Sequence, residues 1–174
     1  MVINEGSLII DPQWYAVYTH SKSEKKVEER LTKAGFESYL PLQTNVKQWS
    51  DRKKIVKSPL ISSYVFVKTH ESNLTQVYEV PGVVNILKYL GNYAIVKNEE
   101  IENLKILIAN DVPIQTIEPV NLTKGTSIIV TSGPFSGLTA NYVTNSGKHR
   151  VIVKLEALNS FIEVTMPLSF IQEI

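Results

Sequence analysis

Apolar positions along the chain follow two rhythms. Trp14-Tyr15-Ala16-Val17-Tyr18-Thr19 and Tyr64-Val65-Phe66-Val67 are dense in aromatic and β-branched residues, so both are expected as strands. Between them Val27, Leu31 and Ala34 recur at helical spacing. Ser21 and Glu24 have the spacing of a capping box before this helix, and Gly35 suits a left-handed position after it. Glu37 to Leu42 reads as another strand, with a polar, basic loop between it and the strand Ser63 to Lys68. Leu74, Val77 and Tyr78 share one side of a short helix around Ser72 to Glu79, which Pro81-Gly82 ends. Val84 to Tyr89 and Tyr93 to Val96 are expected as short strands. Asn98 opens a third helix, whose Ile101, Leu104, Leu107 and Ile108 form an apolar stripe. The order strand, helix, strand, strand, helix, strand predicts an α+β fold: a split βαβ (ferredoxin-like) antiparallel-sheet sandwich with helices over one face.

The rhythm is lost across 111–123, where Pro113 and Pro119 cannot sit inside regular elements, so a linker is expected. Beyond it Thr126 to Thr131, Leu138 to Thr144, Arg150 to Glu156 and Phe161 to Met166 form short β-rich runs at near-regular spacing, separated by Gly, Pro, Asn and Ser turns. That pattern predicts a small β-barrel. The expected organisation is a loose tail over 1–11, a first domain over 12–110, a linker over 111–123 and a barrel over 124–174.

Composition narrows the chemistry. A chain of 174 residues with 43% hydrophobic content is expected to be globular. No apolar run approaches a membrane span, and Met1 to Pro12 lacks a basic region before its apolar residues, so a cytoplasmic address is expected. With no cysteine there is no disulfide, no thiolate nucleophile and no Cys-type zinc site. His20, His70 and His149 fall in separate segments without metal-ligand spacing, and no phosphate loop or nucleophile elbow occurs. Neither enzyme nor metal site nor cofactor is expected. A net charge of +1 excludes a generally basic protein, which leaves local clusters for any nucleic-acid contact. Lys22, Lys26, Arg30 and Lys33 share a helical spacing, just after His20. Their plain reading is a solvated face balanced by Glu24, Glu28 and Glu29; the other is a stripe against phosphates. Lys47, Arg52, Lys53 and Lys54 surround Trp49, which combines charge with a stacking surface.

Taken in order, Trp14-Tyr15, the first helix, Tyr39-Leu40-Pro41, Pro59-Leu60, Tyr64-Val65-Phe66-Val67 and Pro81-Gly82-Val83 resemble the first domain of the NusG family of transcription elongation factors. Lys124-Gly125 through Gly133-Pro134-Phe135-Ser136-Gly137 resembles the KOW motif of its second domain. The short basic connection and the Trp49 to Lys54 stretch are more similar to the specialised RfaH- and UpxY-like paralogues, which antiterminate long surface-polysaccharide operons. The resemblance implies a pocket of Tyr18, Ile61, Tyr64, Phe66, Ile101 and Leu104 for the clamp helices of the RNA polymerase largest subunit. Core packing is the competing role for Phe66, Ile101 and Leu104. It also implies that His20, Lys26 and Arg30 approach the displaced non-template DNA strand. Of Asn73, Leu74, Thr75 and Gln76, only Thr75 keeps the chemistry with which some paralogues touch the polymerase gate loop.

In the barrel the resemblance implies a partner surface at Phe135 and Leu158 for a small-subunit ribosomal protein, with a barrel plug as the plainer role of Phe135. Leucine at 158 replaces the aromatic of the general factor, which counts against the termination factor Rho. Some specialised relatives hold this domain as a helical hairpin when autoinhibited. Here β-branched runs and Gly133, Pro134, Gly137 and Gly147 predict the barrel. The alternatives are a general NusG-like factor and a ribosome-associated KOW protein that binds RNA.

Overall fold

A computed structural model of the chain describes residues 11–48, 53–110, 114–117, 125–145 and 148–174. The chain enters β1 (Gln13–Thr19), α1 (Glu24–Lys33) and β2 (Glu37–Tyr39). It then runs out and back as β3 (Leu42–Gln48) and β4 (Lys53–Pro59) before β5 (Tyr64–Thr69). A 3-10 turn at Glu71–Asn73 leads into α2 (Leu74–Tyr78), followed by β6 (Val83–Ile86). The small hairpin β7 (Lys88–Tyr89) and β8 (Asn92–Tyr93), then β9 (Ile95–Val96), precede α3 (Asn98–Ala109). The sheet order β2-β5-β1-β6, with β9 also on β1, is the expected split βαβ arrangement, and its pairings are antiparallel.

The helices are not all on one face. β1 and β5 are continuously apolar, so both of their faces have to be buried. Tyr15, Val17, Val65 and Val67 share an apolar cluster with Val27 and Leu31 of α1 and Leu74 and Val77 of α2. Trp14, Ala16 and Phe66, one residue out of phase, cluster instead with Ile101, Leu104 and Leu107 of α3. The sheet therefore separates two cores. Burial of the three α3 side chains contributes about 1.5–3 kcal/mol each against exposure.

The basic segment expected as a loop is a two-stranded ribbon, β3 against β4, in register from Leu42↔Pro59 to Gln48↔Lys53. The capping box expected from Ser21 does not form, because α1 starts after Ser23, which makes no side-chain cap. Glu24 is buried and accepts the Ser63 N–H at 2.8 Å instead.

The C-terminal sheet has the order β10-β14-β13-β12-β11-β15. Its strands are β10 (Gln115–Ile117), β11 (Thr126–Val130), β12 (Thr139–Asn145), β13 (Lys148–Leu155), β14 (Ser160–Val164) and β15 (Ile171–Glu173). This is the small KOW-type β-barrel, in strand form and not as a helical hairpin. β10 falls inside the stretch expected as a linker. A segment between two prolines can still add to a sheet edge, where only one side needs hydrogen bonds, and Thr116 faces Ile162 in the register. Gly133 (φ +81) and Gly137 (φ +90) adopt backbone that only glycine takes readily, and a Cβ at Gly133 would collide with the Phe170 ring. Among the described residues no helix is long and apolar enough to cross a membrane.

Candidate functional site

The turn between β4 and β5 is pinned from three sides. The Leu60 N–H donates to the Pro41 carbonyl at 2.8 Å, and the Thr19 N–H donates to the Ser63 carbonyl at 2.9 Å. The third tie is the buried Glu24 carboxylate on the Ser63 N–H, at a residue with φ +65. These ties set Tyr64 directly across from Tyr18 in the β1–β5 register. The two rings meet edge-on, centroids 5.4 Å apart and planes at 60°. Tyr18 is 42% exposed and Tyr64 is half-buried. Burial first, and Tyr18 second, push the Tyr64 phenol above its ordinary pKa, so both rings stay neutral donors at physiological pH.

Beneath Tyr64 lies the apolar floor. Ile61, Phe66, Ile101 and Leu104 belong to one cluster, and Tyr64 and Tyr39 pack against it. Tyr39 stacks on Phe66 with centroids 6.5 Å apart. The four floor residues are 6% exposed or less, so the surface open to a partner here is confined to the two tyrosines.

On the other face, His20, Lys26 and Arg30 are exposed around α1. Lys22 lies before the helix with φ +65, so the four-cation helical stripe begins only at Lys26. Arg30 donates to the Pro81 carbonyl, while Lys33 pairs with Glu29 at 2.7 Å and holds that carboxyl below its usual range. Lys25 donates to the Lys57 carbonyl at 2.7 Å and ties α1 to the ribbon. A cleft of about 460 Å³ opens beside this face, lined by Arg30, Lys33, Phe36, Gln76, Val80 and Pro81. In the ribbon, Lys47 and Lys54 are cross-strand partners, and Lys53 faces Gln48 in the register. Trp49 and Arg52 lie outside the described residues. Thr75 is exposed on α2, where Leu74 is buried.

The barrel sits against α3. Asn103 forms a two-point pair with Thr139, its amide donating to the Thr139 carbonyl at 3.0 Å and accepting the Thr139 N–H at 3.2 Å. The Thr139 hydroxyl donates to the Glu99 carboxylate. Glu100, 6% exposed, accepts both the Lys97 N–H at 2.9 Å and the Glu156 N–H of the barrel. Lys97 pairs with Glu156 at 2.6 Å, which lowers the Glu156 pKa and raises that of Lys97. The Asn110 amide donates to the Pro134 carbonyl. Phe135 is 2% exposed in the same cluster as Phe66, Ile101 and Leu104, and half-buried Leu158 packs against that cluster. Glu99, Glu100, Asn103, Thr139 and Glu156 were not expected as site residues. The available signal was Asn103, a polar residue between Ile101, Leu104 and Leu107 on the buried stripe. Among the described residues no group of three or more His, Cys, Asp or Glu could hold a metal ion.

The NusG family profile, described as transcription termination factor, matches residues 12–105, more than half of the chain. A solved structure described as domain interaction in Thermotoga maritima NusG is similar over 94% of this chain and 97% of that one, with 21% identity and a TM-score of 0.50. A structure of an MjSpt4:Spt5 complex, conformation B, aligns over 92% of this chain and 96% of that one, with 23% identity and a TM-score of 0.32.

Proposed function

The chain belongs to the NusG family, whose proteins are transcription factors and not enzymes, and we propose that it binds RNA polymerase and suppresses pausing and termination. The first domain, taken as 12–110, grips the clamp helices of the largest subunit through the Tyr18–Tyr64 face, with Ile61, Phe66, Ile101 and Leu104 as its floor. The exposed tyrosine pair above that floor carries the reading. Two neutral rings with polar edges bury a large area on a partner yet tolerate water when free.

Bridging two sides of the polymerase cleft favours its closed, active form only through higher affinity for that form. A bias of about 1.4 kcal/mol changes pause occupancy roughly tenfold at equilibrium. The non-template DNA strand runs along His20, Lys26 and Arg30, and the ribbon bearing Lys47, Trp49, Arg52, Lys53 and Lys54 is a second phosphate contact. Over 124–174 the barrel, through Phe135 and Leu158, recruits a small-subunit ribosomal protein. The targets are long surface-polysaccharide operons.

In the full chain, Tyr64→Ala is expected to weaken binding to core polymerase at least tenfold with unchanged circular dichroism, the loss typical of an aromatic anchor. Unchanged affinity removes the tyrosine face from the reading. Transcript profiling after loss of the protein separates its reach: shortening confined to long polysaccharide operons supports a specialised role, and a uniform effect supports a general factor.

A further inference from the structure

We propose that α3 is a latch that holds the barrel closed by reading its main chain, and that the barrel leaves this latch as an intact body without refolding. The inference rests on the polymerase reading for its consequence, but the contact itself stands on the structure.

Three α3 side chains address barrel backbone: Asn103 at Thr139, Glu100 at Glu156 and Asn110 at Pro134. Glu99 and Lys97 add side-chain partners at Thr139 and Glu156. The groups they grip are free to be gripped because of where they stand in the β fold. Thr139 opens β12, and Glu156 follows the last residue of β13. In a helix over 139–156 such N–H and C=O groups would be taken by partners four residues away. The latch therefore fits only the strand form of the barrel.

Glu100 has a double duty. The carboxylate that accepts the Glu156 N–H also accepts the Lys97 N–H at the start of its own helix. A buried carboxylate that lost the Glu156 N–H would keep this second donor, so α3 stays intact when the barrel departs.

The consequence is mutual occlusion. Ile101 and Leu104, on the polymerase side of the proposed function, and Phe135, on the recruitment side, are 2% exposed or less in one cluster. Any partner that prefers the open form therefore frees the other surface, and the coupling is reciprocal.

The test compares the full chain with Asn103→Ala and with Glu100→Gln, which keeps an acceptor for Lys97. Wild type is expected to tumble as one body by backbone ¹⁵N relaxation. The variants should tumble as two, with carbon shifts of 151–157 still those of strands. Independent tumbling in wild type, a variant that stays a single body, or helical shifts on opening each overturn the latch. Because closure reduces apparent affinity by the open fraction, Asn103→Ala should bind polymerase roughly tenfold tighter. An open variant that does not bind polymerase at all defeats the polymerase reading and leaves the latch standing.

Discussion

At the scale of single residues, burial decides which substitutions report on function. Ile61 is 6% exposed inside the core cluster, so Ile61→Asp would bury a charge and unfold the sheet, whereas Tyr64 touches both the core and solvent. Tyr39 is informative in a different way. Its hydroxyl is buried with no hydrogen-bond partner among the described residues, and its phenol pKa is pushed up to about 12, chiefly by burial and then by Glu102. The folded pKa lies above the unfolded value near 10, so the folded state favours the neutral phenol. That contribution is whole below the unfolded pKa and is lost as pH rises through the folded one. Tyr39→Phe should leave stability at neutral pH within about 1 kcal/mol of wild type, since a hydroxyl without a partner adds little. It should also reduce the stability lost between pH 10 and 12. Urea midpoints across that range check it, and an equal alkaline loss in both proteins would mean that Tyr39 ionises freely.

At the scale of elements, α1 carries the nucleic-acid reading, and its cations are not equivalent. Arg30 holds the Pro81 carbonyl and Lys33 is paired with Glu29, so changing either alters packing or pairing as well as charge. Lys26→Glu is the cleaner probe. It should weaken binding to a transcription complex with an exposed non-template strand, more at low salt than at high, and leave binding to DNA-free polymerase unchanged. Equal losses with and without DNA would mean that α1 does not face the strand. The elements that pack on a core are legible in the sequence: β1, β5 and the apolar stripes of α1 and α3 announce themselves through continuous or periodic hydrophobicity. The β3–β4 ribbon is not, because a two-stranded ribbon outside the main sheet has no buried face to impose alternation on Leu42-Gln43-Thr44-Asn45-Val46-Lys47-Gln48. β10 and β15 escape for a related reason, each being three residues long at an edge of the sheet. The tyrosine pair was visible as residue type. Its opposition across β1 and β5 required the register, and the latch required knowing that Asn103 meets Thr139.

At the scale of the whole molecule, one apolar cluster runs from Trp14 and Phe66 through α3 to Phe135, Leu138 and Val153 of the barrel. Two units that share a core lose each other's support when either unfolds, so the intact chain should unfold in one cooperative transition. The calorimetric and van't Hoff enthalpies should then agree for the full chain. The Lys97–Glu156 pair contributes little to this coupling, because both side chains are more than half exposed. Its share has a definite sign. The Glu156 pKa is lowered in the folded state, so the contribution is present above the unfolded carboxylate value and fades as pH falls through the folded one. The Lys97 pKa is raised, so its contribution is present at neutral pH and lost only as strong alkali carries pH through the raised value. Across neutral pH the coupling should therefore be constant, resting on the cluster and on the Asn103 and Glu100 contacts. Combining Asn103→Ala with Glu100→Gln should split the calorimetric peak in two, with the barrel melting apart from the N-terminal sheet. Two transitions already present in wild type would show that the shared cluster does not couple the halves, and a single unchanged peak in the double variant would assign the coupling to apolar contact alone.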